Sequence, residues 1–131
     1  MTSWSAKDIP SLSGTFAVVT GGNSGLGFET SLQLALKGAT VVVAARNEQR
    51  GTEAVADIKQ RVSDAQKNGL EDQSAVADRV VYLPLDLADL DSVKAFADAV
   101  AARTDHVDLL FNNVRLSCGP QTTGVHGWRE E

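Results

Sequence analysis

Four glycines within seven residues, Gly21, Gly22, Gly25 and Gly27, separate the short apolar run Phe16-Ala17-Val18-Val19-Thr20 from an amphipathic stretch. This segment constrains the fold more than any other in the chain. An apolar, β-branched run without alternation reads as a strand buried on both faces of a parallel sheet. Glycines directly after it let the backbone turn sharply off the strand. The apolar positions Phe28, Leu32, Ala35 and Leu36 then recur at helical spacing. Lys37 falls in the last turn and Gly38 closes the helix. The segment predicts a strand, a tight turn and a helix.

The alternation continues along the chain. Thr40-Val41-Val42-Val43-Ala44-Ala45 predicts a second buried strand, and a long helix begins near Asn47 with Ala54, Ile58, Val62 and Ala65 as its inward stripe. Residues 67–78 have weak periodicity and contain Asn68-Gly69, so they predict a loop. A third strand follows at Val80-Val81-Tyr82-Leu83. Asp89 or Asp91 can cap the next helix, with Leu90, Val93, Ala97 and Val100 facing inward. Val107 to Phe111 predicts a fourth strand.

The order β-α-β-α-β-α-β implies a parallel sheet with right-handed crossovers. The expected fold is α/β: a three-layer, doubly wound, Rossmann-type half with about four strands and flanking helices. The expected domain runs over 12–113. Residues 114–131 carry no period and include three glycines and a proline, so an irregular tail is expected there.

Composition narrows the partners. A net charge of −5 argues against nucleic acid, whose phosphates need a basic face. Cys118 is the only cysteine and His106 and His126 the only histidines, which excludes an intramolecular disulfide and leaves too few ligands for a zinc site. The N-terminus has no apolar core of a signal peptide, and no apolar run reaches about 18 residues. No membrane partner is expected, and the expected location is cytoplasmic.

The glycine turn has a chemistry of its own. Gly25 and Gly27 lack a Cβ, so a pyrophosphate can approach the backbone and the helix can pack closely on the sheet. The helix start then offers free N–H groups and a partial positive charge to an anion. The alternative is a tight strand-to-helix turn without a ligand.

Thr20-Gly21-Gly22-Asn23-Ser24-Gly25-Leu26-Gly27 fits the T-G-x-x-x-G-x-G spacing and resembles the short-chain dehydrogenase/reductase family over roughly residues 12–113. Ala44-Ala45-Arg46-Asn47 is most similar to its retinol-dehydrogenase-like branch. The resemblance implies a nicotinamide dinucleotide partner held by Thr20, Gly21, Asn23, Ser24, Gly25, Leu26 and Gly27. It also implies that Asp86 and Leu87 lie beside the adenine, with Asp86 bonding its amino group; the local alternative is a strand-end acid capping a turn. Asn112-Asn113 matches the start of the family's N-N-A-G motif, which implies that Asn113 lies under the cofactor ribose. Val114 and Arg115 replace the two small residues that usually follow.

Arg46 bears on the choice of dinucleotide. An acid at the end of the second strand bonds the ribose 2′-hydroxyl of NAD, whereas an arginine accommodates a 2′-phosphate. The strand here ends without a carboxylate, so NADP(H) is expected over NAD(H). The alternative is a solvated loop arginine.

The resemblance further implies hydride transfer to or from an alcohol or carbonyl, by a tyrosine, a lysine four residues on, a serine and an asparagine. Tyr82 is the only tyrosine, and Asp86 stands four residues beyond it. Ser117 is the only serine after the fourth strand. No catalytic residue is therefore expected, and His106 and His126 read as exposed polar residues. Motif and periodicity both fail after Asn113, which suggests a shifted frame or misread splice there. Two readings follow: an NADP(H)-binding portion of a short-chain oxidoreductase, truncated and inactive alone, or a non-catalytic nucleotide-binding or interaction fragment. An uncovered edge at the fourth strand would favour self-association.

Overall fold

The computed structural model describes residues 3–69 and 78–113. After a three-residue 3-10 turn at Ala6–Asp8 come β1 (Phe16–Thr20), α1 (Gly25–Leu36), β2 (Thr40–Ala45), α2 (Glu48–Lys67), β3 (Val80–Pro84), α3 (Leu90–Ala101) and β4 (Leu109–Phe111). The four strands form one parallel sheet in the order β3-β2-β1-β4. Every residue of β1 is buried, as are all of β2 beyond Thr40, so the two uninterrupted apolar runs occupy the two central positions.

The period of a strand divides these residues between two faces. Ala17, Val19, Val41, Val43 and Val80 point to one face, against Leu32, Leu34 and Ala35 of α1 and Val55, Ile58 and Val62 of α2. Phe16, Val18 and Val42 point to the other, where Val100 and Phe96 of α3 meet them. The result is a Rossmann-like three-layer arrangement with two helices on one face and one on the other. The chain runs outward from β1 through β2 to β3, then returns to the opposite side of β1 to form β4. That reversal places a crevice outside the carboxyl ends of β1 and β4, where open α/β sheets bind ligands.

Local chemistry sets the element ends. Asn47 caps α2 by accepting the Arg50 N–H at 2.9 Å. Asp89, not Asp91, caps α3, accepting the Asp91 N–H at 3.0 Å. β4 begins two residues later than expected, at Leu109. Just before it Asp108 bonds Phe16 twice, its N–H donating to the Phe16 carbonyl at 2.9 Å and its carboxylate accepting the Phe16 N–H at 2.8 Å.

The helix stripes need correction at several positions. Leu34 and Val55 are buried, whereas Leu36 and Ala65 are only half-buried. In α3, Leu90 is 46% exposed and Ala97 is exposed, while Phe96 packs on the core. The inward stripe is Val93, Phe96 and Val100, and its i, i+3, i+7 spacing satisfies a helix as well as the expected one does. The tail at 114–131 and most of the loop at 67–78 lie outside the described residues.

Candidate functional site

β1 ends at Thr20, which ties the crevice together. Its hydroxyl donates to the Phe111 carbonyl at 3.1 Å and accepts the Asn113 N–H at 2.9 Å. The next residue, Gly21, donates its N–H to the Ala44 carbonyl at 2.8 Å. The start of the turn is thus fixed to strands on both sides.

The two glycines that open α1 have separate roles. Gly25 has φ +57, and a Cβ built there meets nothing within 4 Å. Its surface is open. A Cβ on Gly27 would overlap the Gly21 carbonyl and press on the Asn113 side-chain amide. The missing Cβ of Gly27 therefore serves the packing of α1 against the turn, whereas that of Gly25 leaves open space for an approaching group.

Ser24 precedes α1 with extended backbone, yet its side chain makes no capping bond, and the first turn of α1 holds no acid. The N–H groups at this helix start therefore have neither of their usual side-chain partners. An anion fits them, since donors and dipole both point outward. Leu26, beside them, is 75% exposed.

Across from this turn lies α2. An open cleft of about 440 Å³ is lined by Asn23, Ser24 and Phe28 on one side and by Arg50, Glu53, Ala54 and Asp57 on the other. Its acids are engaged: Glu53 accepts the Gln49 side-chain amide at 3.1 Å, and Asp57 pairs with Arg61 at 2.9 Å. Arg61 also lies over the Phe28 ring, 5.2 Å from its centre. Arg46, in the β2–α2 connection, is exposed and makes no hydrogen bond or ion pair among the described residues.

Arg50 was not singled out by the sequence. The signal was present, because a cation in the first turn of a helix opposes the dipole. Here one stands four residues after Arg46, at a helix start that faces the glycine turn.

Asp86 and Leu87 follow β3, at the same end of the sheet. The Asp86 Oδ1 accepts the Ala88 N–H at 3.0 Å, and its backbone N–H donates to Ser92 Oγ at 2.9 Å. The turn-capping role is real, and it engages one carboxylate oxygen. Leu87 is exposed. Asn113 reaches the turn through both its backbone, on Thr20, and its side chain, against Gly27. All the expected site residues thus stand at the carboxyl ends of the four strands or in the turns that leave them.

Tyr82 lies in β3 and donates its hydroxyl to the Ala45 carbonyl at 3.0 Å. Burial, reinforced by the Glu48 carboxylate, raises its pKa above the ordinary value. That shift holds the phenol neutral and opposes a role as a base. His106 is exposed and faces the Asp108 carboxylate at 3.4 Å. Among the described residues, no three His, Cys, Asp or Glu gather as for a metal ion, and no helix is long and apolar enough to cross a membrane.

Residues 15–126 match the family model described as short chain dehydrogenase. The likeness therefore continues past Asn113, where the loss of periodicity had suggested an end. The chain is 40% identical over 114 residues to dehydrogenase/reductase SDR family member 13 of Bos taurus, covering 86% of this chain and 27% of that protein. The chain spans about a quarter to a third of the length of the curated relatives it matches. Among solved structures it resembles menthone neomenthol reductase from Mentha piperita, with a TM-score of 0.67 and 39% identity over 78% of this chain and 32% of that one. It also resembles the C-domain of bacterial malonyl-CoA reductase with NADP, with a TM-score of 0.74 and 29% identity over 94% of this chain and 18% of that one. The glycine turn, the strand order and these likenesses agree: the chain belongs to the short-chain dehydrogenase/reductase family.

Proposed function

We propose that residues 12–113 form the NADP(H)-binding half of a cytoplasmic oxidoreductase of the retinol-dehydrogenase-like branch, acting on alcohols or carbonyls. We propose too that these 131 residues bind the dinucleotide without turning it over. The observation that carries the reading is the start of α1. Its N–H groups are uncapped, its Gly25 surface is open, and Arg50 stands across the cleft from it.

In this reading the N–H groups of Gly25, Leu26 and Gly27 hold the pyrophosphate, with Thr20 and Gly21 shaping the turn. Asn23 and Ser24 bond the adenosine ribose side, and Leu26 covers it. Arg46 pairs with the 2′-phosphate, to which a guanidinium can bond in bidentate fashion. Asp86 keeps Oδ1 on its turn and offers Oδ2 to the adenine amino group, with Leu87 against the ring. Asn113 supports the nicotinamide-side ribose. The nicotinamide, when bound, supplies hydride donation or acceptance. Tyr82 is committed to the Ala45 carbonyl and supplies no proton.

The test is ligand-induced protection from thermal unfolding, because a ligand that binds only the folded form raises Tm. NADPH is expected to raise Tm more than NADH, and neither is expected to be consumed with a panel of aldehydes and ketones. No protection by either dinucleotide would refute the reading, and turnover would refute its non-catalytic part. A second reading, an interaction fragment, draws on the edge strand β4, where Leu110 is 59% exposed. It predicts association without any response to nucleotide.

A further inference from the structure

Tyr82 is left unexplained by the cofactor reading, yet it touches the corner that carries Arg46. Only Arg46 and Asn47 connect β2 to α2. The β2 end of that link is held at the Ala45 carbonyl, which accepts the Leu85 N–H at 3.1 Å and the Tyr82 hydroxyl at 3.0 Å. The α2 end is held at Asn47, whose side chain accepts the Arg50 N–H and whose carbonyl accepts the Gly51 N–H, both at 2.9 Å.

The Tyr82 ring meets α2 at Gly51. A Cβ there would overlap ring carbons of Tyr82, so the absence of a side chain at 51 lets the first turn of α2 settle on the ring. Ring and hydroxyl act at the two ends of one short connection. The hydroxyl is not rescuing an orphaned acceptor, because Leu85 already satisfies the Ala45 carbonyl. What the second bond adds is a fixed place for that carbonyl, one residue before Arg46.

We infer that Tyr82, seated on Gly51, is a positioning residue for cofactor discrimination: it fixes the β2–α2 corner so that Arg46 is presented to the 2′-phosphate of NADPH. The inference rests on the NADP(H) reading of Arg46. Its signature is selective. Loosening this corner weakens the dinucleotide that carries the 2′-phosphate and spares the one that does not, whereas a general loss of packing weakens both.

The experiment measures dissociation constants of NADPH and NADH for the wild-type chain, Tyr82→Phe, Arg46→Ala and the double variant. Tyr82→Phe is expected to weaken NADPH roughly three- to tenfold, with no comparable loss for NADH, the scale of coupling between residues in contact or in one network. In the Arg46→Ala background it is expected to add nothing. A pair of changes, Gly51→Ala with Tyr82→Leu, removes the ring and hydroxyl while giving the new Cβ room, and is expected to show the same selective loss should Tyr82→Phe fail to fold. Equal weakening of both dinucleotides, no weakening of either, or additive losses in the double variant would overturn the positioning role. If Arg46→Ala itself leaves the NADPH-to-NADH ratio unchanged, or if neither dinucleotide binds, the cofactor reading falls and this inference falls with it. A ratio that responds to Arg46→Ala but not to Tyr82→Phe overturns this inference alone.

Discussion

Gly25 and Gly27 stand two residues apart in one turn, and their side-chain hydrogens face different things. At Gly27 the obstacle is backbone and a neighbouring amide. Gly27→Ala should therefore destabilise the fold by about 1–3 kcal/mol, the usual cost of forcing atoms into a packed site, read as a lower urea midpoint. At Gly25 the obstacle is φ +57 alone. Gly25→Ala should cost about 1–2 kcal/mol from the left-handed backbone and should also weaken NADPH, since the new methyl stands where the pyrophosphate approaches. A binding defect at Gly25 with stability corrected for, absent at Gly27, would separate the two roles. Arg46→Asp places a carboxylate where the 2′-phosphate is proposed to lie, so the thermal protection by NADPH should fall below that by NADH. Unchanged preference would make Arg46 a solvated loop residue. Tyr82 sets a pH dependence. Its pKa is raised in the folded state, so between the ordinary tyrosine value and the folded one the native form binds more protons than the unfolded form. Its contribution to stability is whole below about pH 10 and is lost as pH rises through the folded pKa. Tyr82→Phe should flatten that alkaline decline in a chemical-denaturation series.

At the scale of elements, the sequence located the helices better than it oriented them. β1 and β2 were legible because burial on both faces leaves a continuous apolar run that no helix stripe imitates. α2 was legible from Ala54, Ile58 and Val62. α3 was not, because its residues allow two stripes at helical spacing, one through Leu90 and Ala97 and one through Phe96. The sheet surface selects the second by accommodating a ring beside Val81 and Leu83. The two stripes predict different mutants. Phe96→Ala should cost about 2 kcal/mol, below the range for a fully buried ring because Phe96 is half-buried. Leu90→Ser and Ala97→Ser should stay within about 0.5 kcal/mol, as surface changes do. Thermal melts of the three variants decide between them.

At the scale of the molecule, the coverage of the sheet is uneven. Among the described residues, α1 and α2 cover one face, while α3 alone covers the other. β4 lies at the edge with Leu110 59% exposed. An apolar edge strand is a template for pairing with another chain. We therefore expect the isolated chain to self-associate with rising concentration in sedimentation velocity, and Leu110→Lys to reduce that association. A chain that remains monomeric across that range would show that its edge is protected.

Strands and the glycine turn were determined by the sequence alone, because burial period and backbone permission are local properties, and parallel pairing followed from the alternation of strands and helices. The expected contacts Thr20, Gly21, Asn23, Ser24, Gly25, Leu26, Gly27, Arg46, Asp86, Leu87 and Asn113 were marked by the resemblance to the family's motifs, which sit at element ends that the period locates. What the tertiary structure decided is which of these residues meet. The Thr20 hydroxyl joins Phe111 and Asn113 from more than ninety positions away. Arg50 faces Asn23 and Ser24 across a cleft between two helices, and Tyr82 reaches the carbonyl before Arg46 from the neighbouring strand. Such contacts depend on strand order and on the distance between packed layers, and neither is written in the spacing of residues along one segment.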